Sequence, residues 1–437
     1  MMPIRRILIL FLLPLLFSCG GTSDNNDEGV RTVEGNHLTG QTAGGPITPA
    51  AAPADTDTQQ WPTRSDQAMA ELLDTVREVQ ATYLQPRFGI DSASKRAEAQ
   101  RTIAHILHTG LEFWLEANPE RPVFKPYVTT TRKLLGDNPD ALYYFAPLRD
   151  DRRYRITGNI GSAVFTSFTI EGGSGEGRAA SSSLASISDK EMDIAPDGSF
   201  DITVSRERPT NGNWLPLKDG AGQITTRHYH ENRVSIAANP KASIELRIEA
   251  LEPAPLTDYR GDAEVARKLG YVSNFVAGLS AMTLVQPTEA IAAAMGWYSL
   301  EPNQFNQPGQ WLGAADEQAY GNTHAYYAAA PYALADDEAL IIEGHFPQGL
   351  FANVVVWNHF MQTLDFANRQ ISLNRKQIQY RDDGSFRLIV SHDDPGLPNW
   401  LDTEGRSTGV IYWRWIFPTE QPPTPQARVV KLAELHE

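Results

Sequence analysis

Two halves of this chain repeat each other, and any fold it adopts must accommodate that repeat. Asp197-Gly198-Ser199-Phe200 returns as Asp383-Gly384-Ser385-Phe386. The same displacement of 186 positions pairs, without a gap, Asp150-Asp151 with Asp336-Asp337, Gly158 with Gly344, Phe165 with Phe351, Ser186 with Ser372 and Lys190 with Lys376. It continues through Val204-Ser205 on Val390-Ser391, Pro209 on Pro395, and Asn213-Trp214-Leu215 on Asn399-Trp400-Leu401. With small gaps, Gly136-Asp137-Asn138-Pro139-Asp140-Ala141-Leu142-Tyr143-Tyr144 lies against Gly321-Asn322-Thr323-His324-Ala325-Tyr326-Tyr327. Self-similarity of this kind means one supersecondary unit built twice.

Periodicity says what the unit contains. Met69, Leu72, Leu73, Val76, Val79 and Tyr83 recur at three- and four-residue spacing behind Ser65, a helix-capping residue. A second helix is expected over 92–117, with Ile103, Ile106, Leu107 and Leu111 on one stripe, and a third over 262–279 with Val265, Leu269, Val272, Val276 and Leu279. Alternation in 199–204 and 385–390 reads as half-buried antiparallel strands. The expected fold is therefore α+β and β-rich, with two tandem related units over 61–256 and 257–437. Each is a helical segment followed by an antiparallel, jelly-roll-like β-sandwich. A cleft between two such units is a natural ligand site.

Ahead of the repeat, Arg5 and Arg6 precede an apolar run over 7–17 that meets small residues at Ser18, Cys19 and Gly20. That order is a signal peptide, and the run, broken by Pro14, is too short for a membrane span of about 20 residues. Leu16-Phe17-Ser18-Cys19 resembles the lipobox of bacterial lipoproteins, which implies removal of 1–18 and a lipid on Cys19. Cys19 is the only cysteine among 437 residues, so an internal disulfide is excluded and lipidation accounts for its presence. Gly20 is not the aspartate that resembles an inner-membrane retention signal, and the outer membrane is the expected address. Residues 19–60 are Gly, Ser, Thr, Asn, Asp, Pro and Ala with little to bury, as a disordered tether requires. The formal charge of −15 becomes −17 once Arg5 and Arg6 leave with the signal, which disfavours nucleic acid and makes any anionic ligand depend on local basic groups. The expected partners are thus the membrane, through the anchor, and a small molecule, and no cofactor is implied.

Gly344-His345-Phe346-Pro347, Trp357-Asn358, Ser372-Leu373-Asn374-Arg375 and Asp394-Pro395-Gly396-Leu397-Pro398-Asn399-Trp400-Leu401-Asp402-Thr403 stand together in the second copy. Over about residues 318–430 the chain resembles the bacterial domain-of-unknown-function 1214 family. Asn138-Pro139-Asp140-Ala141-Leu142-Tyr143 is similar to the Asn-Pro-Asp-Thr-Leu-Tyr signature of a partner family, number 1254, with Ala141 in place of threonine. The resemblance implies β-rich sandwich domains in tandem and no established reaction.

The repeat is also an internal control, because residues shared by both copies are explained by the common fold. Asp383, Pro395, Asn399, Trp400 and Leu401 read as mainly structural on that ground. Polar groups read as special to copy two gather at His392, Asp393, Asp394, Asp402, Glu404, Arg406 and Arg414, opposite Arg206, Glu207 and Arg208 for the first three. His392, Asp393 and Asp394 are the acid-base candidates, with one aspartate orienting the imidazole. Arg414 or Arg406 would grip a ligand. Arg414 interrupts Val410-Ile411-Tyr412-Trp413-Arg414-Trp415-Ile416-Phe417, a strand apolar on both faces, where a guanidinium calls for a carboxylate partner. Asp402, Trp400, Asn358, Asp140 and Tyr143 complete the ligand-binding candidates. The plainer reading of the loop cluster is a salt-bridged turn.

His228-Tyr229-His230 follows Gly222 at the spacing that resembles the first half of a cupin metal motif, but no third ligand comes after it, so His228 and His230 read as two exposed strand histidines. The run 172–177, rich in glycine, reads as a flexible loop. Two functions remain: binding of a small molecule, sugar or lipid in a cleft walled by such aromatics as Trp357, Trp400, Trp413 and Trp415, or an envelope hydrolase acting on an anionic ester or glycan through His392 and the acidic cluster.

Overall fold

The structure is a computed structural model that describes residues 61–253, 261–285, 287–310, 321 and 324–436. The signal, Cys19 and the tether lie outside the described residues. Helix α1 (Arg64–Tyr83) is capped by Thr63, whose side chain accepts from the Asp66 amide; Ser65, the expected cap, instead donates to Asp262 at the start of α3. Helix α2 (Ala93–Gly110) starts at Ser92, α3 spans Asp262–Thr283, and the short α4 spans Glu289–Met295. Among the described residues no helix is long and apolar enough to cross a membrane.

The strands repeat one for one. Copy one has β1 (Lys125–Pro126), β2 (Ala141–Pro147), β3 (Tyr154–Asn159), β4 (Phe165–Gly172), β5 (Ser182–Ser188), β6 (Ser199–Ser205), β7 (Asn213–Pro216), β8 (Ala221–Tyr229) and β9 (Leu246–Ala250). Copy two has β10 (Gly309–Gln310), β11 (Ala325–Ala333), β12 (Glu338–Gly344), β13 (Phe351–Trp357), β14 (Ser372–Asn374), β15 (Phe386–Ser391), β16 (Trp400–Asp402), β17 (Thr408–Ile416) and β18 (Gln426–Lys431). The five-stranded sheet β1-β2-β8-β4-β5 is matched by β10-β11-β17-β13-β14, and the four-stranded β7-β6-β3-β9 by β16-β15-β12-β18. In each copy the two sheets enclose an apolar core, Phe168, Ile170, Ile224, Ile156 and Ile202 in the first and Val354, Val356, Trp413, Ile342 and Leu388 in the second.

One departure from an all-antiparallel sandwich occurs in both copies, since β6 pairs with β7 and β15 with β16 in parallel. The shared Asn-Trp-Leu makes this possible. Asn213 holds the backbone of Asp193 and Asp201, and Asn399 holds that of Gln379 and Arg387 in the same way. Trp214 and Trp400 donate their indole N–H to Ser205 and Ser391 carbonyls at 3.1 and 3.3 Å. These side chains supply bonds that a short parallel edge lacks, which is why both copies keep them.

Helices α1, α2 and α3 share one core through Leu72, Val79, Ile103, Ile106, Leu269 and Val272. Each copy sends its long loop to the helix preceding the other copy. The run 172–177 is not free but seated on α3: Gly177 has φ +79°, and a Cβ there would come 2.1 Å from the Tyr271 carbonyl oxygen. In copy two, Gln362 accepts from Thr102 of α2 at 3.0 Å, and Phe360 joins the helical core.

Because the five-stranded sheets are covered on both faces, polar groups on their second faces must find partners inside the protein. Asn353 on β13 donates to Asn138 at 2.7 Å and Asp140 at 3.0 Å, and Asn374 donates to Asp140 at 3.1 Å. Arg375 grips Glu231 with two nitrogens, at 2.7 and 2.9 Å. These bonds fasten copy two to copy one. An Asn353→Ala protein leaves Asn138 and Asp140 short of a donor in a dry interior, and a loss of about 2 kcal/mol is expected in the free energy of urea unfolding.

Candidate functional site

Alternation along β17 sorts its side chains. Trp413 turns inward, stacking on Phe386 at 5.7 Å within the second sandwich. Tyr412 and Arg414 turn outward, towards copy one. There the guanidinium meets Tyr412 at 5.1 Å, Tyr327 of β11 at 5.8 Å and Tyr229 of β8 at 5.9 Å. Tyr143 of β2 faces the same charge. Arg414 is 5 % exposed. Among the described residues no carboxylate pairs with Arg414, and its Nε and Nη1 are sealed without a hydrogen-bond partner. Tyr143 is half-buried.

The ionisation states here follow from burial. Burial pushes the Tyr143 and Tyr412 phenols well above their ordinary value, so both remain neutral. For Arg414, burial opposes the charge while the facing oxygens of Tyr229, Tyr143, Tyr412 and Tyr327 favour it, and the balance holds the group above its ordinary value. The site is a permanent cation beside the neutral phenols of Tyr143 and Tyr412.

The strand register also corrects the assignment of Arg414 to copy two alone. Arg227 stands opposite Tyr143 on β2 and Ser167 on β4, and Arg414 opposite Tyr327 on β11 and Asn353 on β13. The two arginines occupy one position of the repeat. Copy two has one extra residue between Leu401 and Thr408, beyond the stretch that aligns without a gap. Arg227 donates to Thr169 at 3.0 Å and lies 3.8 Å from Glu171.

The other candidates lie elsewhere. His392 follows β15 directly, and its Nδ1 meets the Thr403 hydroxyl at 2.7 Å rather than an aspartate. Asp393 and Asp394 are exposed; the Asp394 carboxylate accepts from the Gly396 amide, which pins the turn at Pro395-Gly396. Asp402 pairs with Arg369 at 2.7 Å, and Arg406 bridges Glu404 and Glu98 of α2. That cluster is an ion network that ties a loop to a helix. Asn358 folds its own turn by accepting from the Phe360 and Gln362 amides, and Trp400 and Asp140 serve the frame described above. Of the candidates, Arg414 and Tyr143 alone come together. Tyr229, Tyr327 and Tyr412 are new, and the period-two alternation of β17 was the signal for Tyr412.

The paired histidines are buried, not exposed. His228 faces Phe168 and Tyr144 inside the first sandwich, with Thr166 and Thr226 hydroxyls at 3.2 and 2.8 Å. The sheet is covered on both faces, so alternation could not bring His228 to solvent. His230 meets Ser162 at 3.1 Å and lines a small surface pocket with Leu142, Asn159 and Glu245. Among the described residues no group of three His, Cys, Asp or Glu could hold a metal ion.

The family model described as "Protein of unknown function (DUF1214)" matches residues 145–233 and 343–420, one stretch in each copy. An uncharacterized protein from Burkholderia cenocepacia has a solved structure similar to this one, with TM-score 0.71 and 29% identity over 85% of this chain and 98% of that one. The VPA0106 protein from Vibrio parahaemolyticus is a more distant likeness, with TM-score 0.45 and 14% identity over 76% of this chain and 98% of that one. No curated protein matches the chain.

Burial lowers His228 to about 3, and burial followed by the nearby Arg101 charge lowers His105 to about 4, so the fold requires both rings neutral. The unfolded chain takes up protons that the folded one refuses, and stability falls as pH drops below about 6.5. Urea unfolding followed from pH 7 to pH 4 should show this decline, with a shallower slope in His228→Gln.

Proposed function

We propose that the protein is an envelope-anchored binding protein that holds a small organic molecule beside Arg414. The observation that carries this reading is a buried cation without an ionic partner at the meeting of two sheets. Leaving one charge of a pair uncompensated costs about 3–5 kcal/mol. Departures from internal consistency of this kind concentrate at functional sites. Aromatic walls around a single fixed charge are what a small-molecule site offers.

In this proposal 61–256 and 257–437 are two related domains at the end of a tether over 19–60, delivered to the outer membrane by a lipid on Cys19. A hydrolase centred on His392 has less to support it, since no carboxylate orients that imidazole among the described residues.

The reading is tested without knowing the ligand. Arg414→Met removes a charge that the tyrosine rings face but that no carboxylate among the described residues pairs, so the ligand-free variant should be as stable as the parent or more so, by up to about 4 kcal/mol in urea unfolding. A loss of several kcal/mol would instead make Arg414 a structural member of the core.

A further inference from the structure

We infer that the molecule held at Arg414 is a monoanionic carboxylate with an apolar body, its carboxylate on the guanidinium and its body among the tyrosines. The inference rests on the binding reading above and adds charge and shape to it.

The charge comes from comparing the two copies. At one position of the repeat the chain keeps an arginine twice. Around Arg227 the neighbouring outward positions are Thr169 and Glu171 on β4, with Gln223 and Thr225 on β8. Glu171 accepts from Thr225 at 2.9 Å and also from Gln223, so the negative charge facing Arg227 is itself held in place. In copy two the equivalent positions are Val355, Trp357, Val410 and Tyr412. These four positions carry apolar or aromatic residues in copy two, while Asn353, opposite Arg414, is engaged with Asn138 and Asp140. Copy one therefore supplies an anion to its arginine from these positions, and copy two supplies none from them. A ligand with a single charge restores the balance, whereas a second charge would be buried without a partner.

Geometry and surroundings give the rest. A guanidinium with unpartnered nitrogens presents a planar fork that matches the two oxygens of a carboxylate. Trp357 stacks on Tyr412 at 4.1 Å, and Trp297 packs edge-on to Tyr412 at 5.9 Å, so the rings around the charge are fixed rather than adaptable. With its phenols neutral, such a wall suits an aromatic ring or an alkyl chain better than a hydroxyl-rich sugar.

Titration of the full chain with benzoate and octanoate, against benzamide and octanamide at equal ionic strength, tests the inference by calorimetry and by thermal midpoint. The acids should bind and raise the midpoint, the amides should not. Arg414→Met should weaken the acids about tenfold or more, and Arg414→Lys, which keeps the charge, should retain part of the binding. Amides binding as well as the acids would overturn the carboxylate while leaving a binding site in place. If neither acid nor amide binds the parent and Arg414→Met is destabilised, the inference and the binding reading fall together. Should Arg414→Met fail to fold, equal affinity of the acids for parent and Arg414→Lys, with the amides matching them, still refutes the role of the charge.

Discussion

Everything distinctive about this protein follows from covering each five-stranded sheet on both faces. One face belongs to the sandwich and is apolar in the ordinary way. The other is buried again, by the second copy and by the helical layer, so whatever polar groups it carries must be satisfied without water. Asn353, Asn374 and Asp140 do this by bonding to one another across the copies, and Glu231 does it with Arg375. Burial raises Asp140 to about 6, which shows how dry that junction is. Set in such surroundings, a cation with unpartnered nitrogens stands out.

The two copies treat one position of the repeat differently. Arg227 with Glu171 is self-contained. Copy two has Val355, Trp357 and Tyr412 where copy one has Thr169, Glu171 and Thr225, and an arginine stands in both. What remains on the outward face of β17 is a positive charge in an aromatic enclosure, a poor choice for stability alone and a good one for recognition.

Much of the architecture was legible because the relevant signals are local. Three helices stand where three- and four-residue spacing put them, and Asp-Gly-Ser-Phe opens equivalent strands in both copies. Asn399 and Trp400 could be set aside as frame because Asn213 and Trp214 do the same work. Arg414 drew attention for a sound reason, as a charge in a strand apolar on both faces. The rest depended on what covers what. A one-residue insertion hid the equivalence of Arg227 and Arg414, alternation could not reveal that the face bearing His228 is sealed, and the acidic loop looked like a site because sequence shows clustering of charge but not its pairing. Arg369 and Glu98, which neutralise that loop, are distant in sequence from the residues they hold.

Whether Arg414 is left for an outside anion can be seen in a crystal of the full chain soaked with 4-bromobenzoate, because bromine locates the probe by its anomalous signal. One peak is expected between Tyr143 and Tyr412, with the carboxylate on the Arg414 nitrogens. A side-chain carboxylate already paired with Arg414, or no peak beside it, would show that no outside anion is held there.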